Sequence, residues 1–100
     1  MTVEGKTKKD TLIAKLEGKI DTETAPELER FFDENLNGIR NVELDMKKVS
    51  YISSAGLRVL LILKKKLGAD REDCITAKNV NDTVKTVFEV TGFDDVVRIK

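Results

Sequence analysis

Residues 51–63 read YISSAGLRVLLIL, and this stretch decides the fold. Two adjacent serines and a glycine stand where an apolar run begins. Serine is a favoured N-terminal cap, so the pattern predicts a helix that starts at Ser53-Ser54. The first turn of a helix has unpaired N–H groups and a partial positive charge, and an anion placed there is stabilised. The stretch therefore predicts a place for a phosphate on a serine, where a partner could detect it.

The composition indicates one globular domain. The chain has 100 residues, enough for one modest core. Its 18 basic and 18 acidic residues give no net charge, which argues against nucleic acid as the main partner. The N-terminus is polar, unlike a signal peptide, and the longest apolar run, residues 59–63, is too short to span a bilayer. With a single cysteine, Cys74, we expect a cytoplasmic protein without direct membrane contact.

The absence of particular residue types limits the chemistry. There is no histidine, which removes the commonest general base and any Ser-His-Asp or Cys-His arrangement. One cysteine without histidine argues against a structural zinc site. The six glycines are scattered singly, so the chain has no glycine-rich phosphate loop. We therefore expect no metal and no cofactor.

Apolar patterning predicts five strands. They cover residues 3–8, 12–17, 42–46, 74–77 and 96–99. The first is weak and is expected at a sheet edge, joined to the second by a polar turn at residues 8–10. Val42 and Leu44 are expected to face inward, and residues 47–51 read as a loop. Cys74 is expected to be a small buried hydrophobe.

Capping signals predict three helices. They begin at Thr24, Ser53-Ser54 and Asn81, and end at Asn37-Gly38, Leu67 and Gly92. Thr24 stands three residues before Glu27, as in a capping box, and Pro26 lies in the first turn. The lysines at 64–66 lie in the last turn of the second helix, where we expect them to be solvated.

The order of elements is β-β-α-β-α-β-α-β, which places the chain in the α/β class. Strands that alternate with helices imply a mostly parallel sheet with crossover helices. The opening hairpin adds an antiparallel edge, so we expect a mixed sheet of about five strands in a single domain, residues 1–100.

Two loops are expected to carry the function. In open sheets, binding groups gather at the carboxyl ends of the strands and at the helix N-termini beside them. One such junction is residues 45–54, before the second helix, and the other is residues 20–24, before the first. If the two strands are neighbours, both loops lie on the same rim.

Several motifs together resemble those of STAS domains, and more narrowly of bacterial anti-sigma factor antagonists. The motifs are GKID at 18–21, TAPE at 24–27, LD at 44–45 with Val49, ISSAGL at 52–57, NVN at 79–81 and VFEVTGF at 87–93. The resemblance covers nearly the whole chain. It implies the STAS fold, and a regulatory role in place of an enzymatic one.

The resemblance also implies a switch. In this family, a serine at the start of the second helix is phosphorylated by a partner that is both anti-sigma factor and serine kinase. The unmodified antagonist binds that partner and frees the sigma factor, and a separate phosphatase restores it after phosphorylation. Alignment on Gly56-Leu57 places the acceptor at Ser54. Many members carry Asp one residue earlier, where this chain has Ser53, and this leaves Ser53 as a less favoured acceptor.

The partner surface is predicted around the same serines. Between Leu57 and Leu63 only Arg58 is polar. The segment therefore holds more apolar residues than the single apolar stripe that a helix on a sheet needs. Some apolar residues are therefore expected to face outward as a docking surface, unless deep burial explains them. The predicted partner-binding residues are Asp21, Thr22, Thr24, Ser53, Ser54, Gly56, Leu57, Arg58 and Leu61. The plainer alternative is that Asp21 orders a loop and Ser54 caps a helix.

Two other functions compete with this one. A STAS module of another complex, such as a lipid-transport subunit or a nucleotide-sensing domain, would share the fold and dock through the same helix. An enzyme with Ser54 as nucleophile would need a lysine as base. Positions three and four beyond Ser54 are Leu57 and Arg58, so the Ser-x-x-Lys spacing is absent.

Overall fold

The computed structural model describes all residues from Met1 to Lys100, arranged as five strands and three α-helices. The strands are β1 (Thr2–Lys8), β2 (Thr11–Ile20), β3 (Asn41–Ile52), β4 (Ile75–Lys78) and β5 (Arg98–Ile99). The helices are α1 (Ala25–Asn35), α2 (Ser54–Gly68) and α3 (Asp82–Thr91), and a 3₁₀ turn covers Phe93–Asp95. The predicted order of elements and the α/β class are confirmed.

The five strands form one mixed sheet in the order β1-β2-β3-β4-β5. Strand β1 pairs antiparallel with β2 and lies at the edge, as predicted, and the other pairs are parallel. Each of the three crossovers joins neighbouring strands and steps in the same direction. Since such crossovers share one hand, the three helices cover the same face of the sheet.

Burial along the strands identifies the covered face. Leu12, Ala14 and Leu16 alternate with more exposed residues on β2, and Val42 and Leu44 are buried on β3 as predicted. These residues belong to one core cluster of 22 buried residues beneath the helices. Cys74 is also buried there with a free thiol, which confirms its predicted place. None of the helices combines the length and apolar character needed to cross a bilayer.

The uncovered face of the sheet carries charges of alternating sign. A row across four strands runs from Glu4 to Lys15, Asp45 and Lys78, each paired with the next in register. Lys78 also forms an ion pair with Glu43 at 2.8 Å. Opposite charges on adjacent strands stabilise a sheet, so the uncovered face is balanced within itself.

Strand β3 is longer than predicted, because residues 47–51 are paired strand and not loop. Its pairing register with β2 shifts by one residue at two points, and each shift leaves two neighbouring residues of β3 exposed. These are Lys47-Lys48 and Ser50-Tyr51. Such bulges break the alternation that marks a strand in the sequence. Strand β2 also continues past Glu17 to Ile20.

The helix ends were predicted with mixed success. The Asn81 side chain accepts a hydrogen bond from the backbone N–H of Val84 at 2.8 Å, and Gly92 ends α3 at a φ of +76°, both as expected. The predicted cap by Thr24 is wrong. Thr24 has helical backbone angles, and its hydroxyl makes no cap bond. Its hydroxyl instead donates to the carbonyl of Lys19 and accepts from the N–H of Asp21.

The prediction that Lys64 is solvated is also wrong. Its side chain is buried at the C-terminal end of α2. The ammonium donates to the carbonyls of Gly68, Ala69 and Arg71, which satisfies groups that a helix end leaves without partners. Lys65 and Lys66 are exposed as expected. Lys64 therefore joins α2 to the loop before β4.

We predict that Lys64→Ala lowers the free energy of unfolding by about 1–3 kcal/mol, because it leaves three part-buried carbonyls without their charged donor. Urea denaturation of the two proteins measures this difference. Lys65→Ala, on the exposed side of the same helix, is the matched control and is expected within about 0.5 kcal/mol of the wild type. Equal losses for both variants would contradict the assigned role of Lys64.

Candidate functional site

The two predicted loops lie on the same rim of the sheet. Strands β2 and β3 are parallel neighbours, and their last residues, Ile20 and Ile52, are paired. The N–H of Ser53 donates to the carbonyl of Ile20 at 2.8 Å. This bond ties the start of α2 to the end of β2, so residues 21–24 and the first turn of α2 are adjacent.

Gly56 allows α2 to begin against these strand ends. A Cβ atom at Gly56 would lie 2.6 Å from Cγ2 of Ile20 and 2.7 Å from Cγ1 of Ile52. Real Cβ atoms do not approach other carbons so closely, so a larger residue would push the helix away. Gly56 was predicted to contact a partner, but it is buried. It allows the first turn of α2 to pack on the strand ends.

The two serines differ in accessibility. Ser54 is exposed and is the first residue of α2. Ser53 precedes the helix with extended backbone angles, φ −94° and ψ 177°, but its hydroxyl makes no capping bond. The Ser53 Oγ atom is buried and has no hydrogen-bond partner. Of the two hydroxyls, only that of Ser54 stands on an exposed residue at the rim.

Asp21 shapes the neighbouring loop. Its Oδ1 atom accepts from the N–H groups of Glu23 at 3.0 Å and Thr24 at 3.1 Å. The hydrogen bond from the N–H of Thr24 lowers the pKa of Asp21 below its ordinary value, and the bond from the N–H of Glu23 adds to this effect. Desolvation of the carboxylate opposes part of the shift. Asp21 is half-buried, Thr24 is half-buried, and Thr22 is exposed.

A groove between α1 and α2 begins at Ser54. It has a volume of about 590 Å³. Ala25, Val59 and Ile62 contribute apolar surface, and Glu29 and Arg58 are its charged residues. Its other lining residues are Thr22, Pro26, Ser54 and Ala55. The rim serine, the loop at residues 21–24 and this groove form one continuous surface.

The apolar residues of α2 are only partly available on this surface. Leu61 is 38 % exposed, and Arg58 is exposed. Leu57 is 6 % exposed and packs in the core, so the prediction that it faces a partner is corrected. The reason is that the first turn of α2 lies on the strand ends, which turns Leu57 inward. Much of the apolar excess in this helix is therefore core.

Six residues of the groove are not among the predicted partner-binding residues. They are Ala25, Pro26, Glu29, Ala55, Val59 and Ile62. Pro26 and Glu29 are three residues apart and so share one face of α1. Only the pairing of α1 with α2 shows that this face lines the same groove as Ser54. A hydrogen bond between the side chains of Asp45, on β3, and Asn79, just after β4, was also not predicted. The amide of Asn79 donates to Asp45 at 3.0 Å and lowers the pKa of Asp45.

No group of three or more side chains of the metal-binding types is close enough to hold an ion. The half-buried carboxyl of Asp21 at the rim already accepts backbone N–H groups at its Oδ1 atom. The arrangement offers an exposed hydroxyl, an exposed guanidinium and an apolar groove. These are groups for binding and modification.

Comparison with known proteins gives a family. The profile of the STAS domain matches residues 2–100. BtrV, a protein of Bordetella bronchiseptica named as an anti-sigma factor antagonist, is 37 % identical over 83 residues, which cover 82 % of this chain and 71 % of that protein.

Solved structures give the same fold. An anti-sigma factor antagonist from Mycobacterium paratuberculosis superposes with a TM-score of 0.84 at 22 % identity, covering 98 % of this chain and 83 % of that one. The anti-sigma factor antagonist SpoIIAA in its unphosphorylated form superposes with a TM-score of 0.81 at 17 % identity, covering 99 % of this chain and 88 % of that one. The phosphorylated form of SpoIIAA from Bacillus superposes with a TM-score of 0.73 at 16 % identity, covering 99 % of this chain and 91 % of that one.

We predict that Thr24→Ala raises the pKa of Asp21 toward its ordinary value, because the Thr24 hydroxyl holds the loop that aims two N–H groups at this carboxylate. In the wild type the depressed pKa stabilises the fold above about pH 4, and this contribution is lost as the pH falls through the lower folded pKa. Carboxyl ¹³C titration measures the change. Thr22→Ala, which removes an exposed hydroxyl without hydrogen bonds, is the control, and an unchanged pKa in Thr24→Ala would contradict the assignment.

Proposed function

Because the chain belongs to the STAS domain family and has anti-sigma factor antagonists among its relatives, we propose a specific switch. The unphosphorylated chain binds an anti-sigma factor that is also a serine kinase, and the sigma factor is released. Phosphorylation of Ser54 by that kinase ends the binding. A serine phosphatase restores the active form, and the chain acts in the cytoplasm as a binding protein and not as an enzyme.

One observation carries this proposal. The hydroxyl-bearing residue Ser54 is exposed at the first position of α2, where it borders the groove between α1 and α2. A kinase needs an accessible hydroxyl, and the Oγ atom of Ser53 is buried. The accessibility of the two serines therefore supports Ser54 as the acceptor over Ser53.

The position of Ser54 suits a switch that leaves the fold intact. A phosphate adds about −1.5 to −2 charges at pH 7. At a helix N-terminus this charge is stabilised by roughly 0.3–1 kcal/mol through the unpaired N–H groups. The same charge in a desolvated interface is repelled unless a cation of the partner meets it. Phosphorylation can thus abolish docking while the domain stays folded.

Two similarities to known proteins support this proposal. BtrV, at 37 % identity, carries the name of an anti-sigma factor antagonist. The fold of this chain also superposes on SpoIIAA in both its unphosphorylated and its phosphorylated form, with TM-scores of 0.81 and 0.73. A fold that is kept in both forms is what a local switch requires.

We predict that the wild-type chain takes one phosphate when it is incubated with native lysate and Mg-ATP, and that Ser54→Ala takes none. The reason is that Ser54 carries the accessible hydroxyl at the rim. Intact-mass spectrometry counts the added phosphates. Ser53→Ala is the matched control and is expected to take one phosphate. A phosphate on Ser54→Ala but none on Ser53→Ala would assign the acceptor to Ser53 instead.

We predict that Ser54→Asp binds the partner at least about tenfold more weakly than the wild type, a loss of about 1.4 kcal/mol, because it places a negative charge in the docking surface. Thr7→Asp adds the same charge at an exposed residue of β1 that pairs with Leu12, at the opposite end of β2 from Ile20, and should bind like the wild type. A pull-down with mass spectrometry identifies the partner, and calorimetry gives the affinity. Equal binding by Ser54→Asp and the wild type would reject the switch. Capture of a transporter ATPase in place of an anti-sigma factor would favour a STAS module of another complex.

A further inference from the structure

Arg58 lies one helical turn beyond Ser54 on the same side of α2. Residues four apart on a helix have Cβ atoms about 5–6 Å from each other, so their side chains can meet. Both residues are exposed, and both line the groove between α1 and α2. A phosphate on Ser54 would therefore stand within reach of the Arg58 guanidinium.

Arg58 has no partner in the unmodified chain. It makes no ion pair and no side-chain hydrogen bond, whereas Lys66, two turns further along α2, is paired with Asp33 of α1. Glu29 is the other charged residue of the groove, and it forms no ion pair with Arg58. The five N–H donors of the guanidinium are thus free for an incoming acceptor.

We propose that Arg58 exchanges a carboxylate of the partner for the phosphate of Ser54. This rests on the proposed function and adds to it. In the unmodified chain Arg58 receives an acidic side chain of the docked partner at the edge of the groove. After phosphorylation, Arg58 forms an ion pair with the phosphate on its own helix. The modification then removes the cation that the partner needs and adds an anion in its place.

Charge and geometry favour this exchange. A guanidinium binds phosphate through two parallel N–H···O bonds, and such charge-assisted pairs are roughly twice as strong as neutral hydrogen bonds. The pair forms within one helix turn, so no second molecule has to be brought in. The charges of Arg58 and Glu29 cancel in the unmodified groove, and a phosphate of about −1.5 to −2 charges on Ser54 makes the sum negative. An acidic group of the partner is then repelled.

The ion pair can be tested without a partner. The chain is produced with phosphoserine incorporated at position 54 during translation, and its phosphate is titrated by ³¹P NMR. Because a nearby cation favours the dianion, the second pKa of the phosphate should be lower in the wild type than in Arg58→Gln, with Arg58→Lys in between. Lys65→Gln removes an exposed cation about 16 Å along the helix from Ser54 and should leave that pKa unchanged.

Equal phosphate pKa values in the wild type and Arg58→Gln would overturn the proposal, whatever the partner is. The docking half is tested with unphosphorylated proteins. Arg58→Gln should bind the anti-sigma factor about tenfold more weakly than the wild type, while Lys65→Gln binds like the wild type. Full affinity in Arg58→Gln would reject the carboxylate contact. If the unmodified wild type itself failed to bind any anti-sigma factor, the proposed function would fall, and the NMR titration would still decide the ion pair.

Discussion

The close approach of Gly56 to Ile20 and Ile52 is the constraint on which the functional surface depends. Without a Cβ atom, the first turn of α2 can rest directly on the ends of β2 and β3. The hydrogen bond from the N–H of Ser53 to the carbonyl of Ile20 stabilises the same contact. This arrangement turns Leu57 into the core and leaves Ser54 outside, so a packing requirement decides which residue of the serine motif faces solvent.

The same constraint separates the surface from the core. All three helices cover one face of the sheet, and the opposite face is occupied by charges that pair across the strands. The exposed groove with a serine at its entrance lies between α1 and α2, at the carboxyl ends of the strands. Charge placed at Ser54 acts on that groove and on Arg58, and it lies at the exposed first position of α2.

The sequence was sufficient where the signals are local. The alternation of β2 and the cap by Asn81 follow from neighbouring residues, and the structure agrees with them. The sequence was insufficient where residues distant along the chain determine the local structure or the burial of a side chain. The bulges in β3 arise from pairing with β2, the burial of Lys64 from carbonyls of the next loop, and the inward turn of Leu57 from the strand ends. The groove itself needs two helices that the sequence does not show to be adjacent.

The central claim is that phosphorylation at Ser54 changes the docking surface and not the fold. The most direct test is the ¹H–¹⁵N NMR spectrum of the chain with and without phosphoserine at position 54. We expect shifted amides in residues 20–24, in the first two turns of α2 and on the groove face of α1, with the amides of β1, β4 and α3 unmoved. Shifts that spread across the sheet, or a loss of dispersion, would show that the phosphate acts by altering the fold, and would contradict this account.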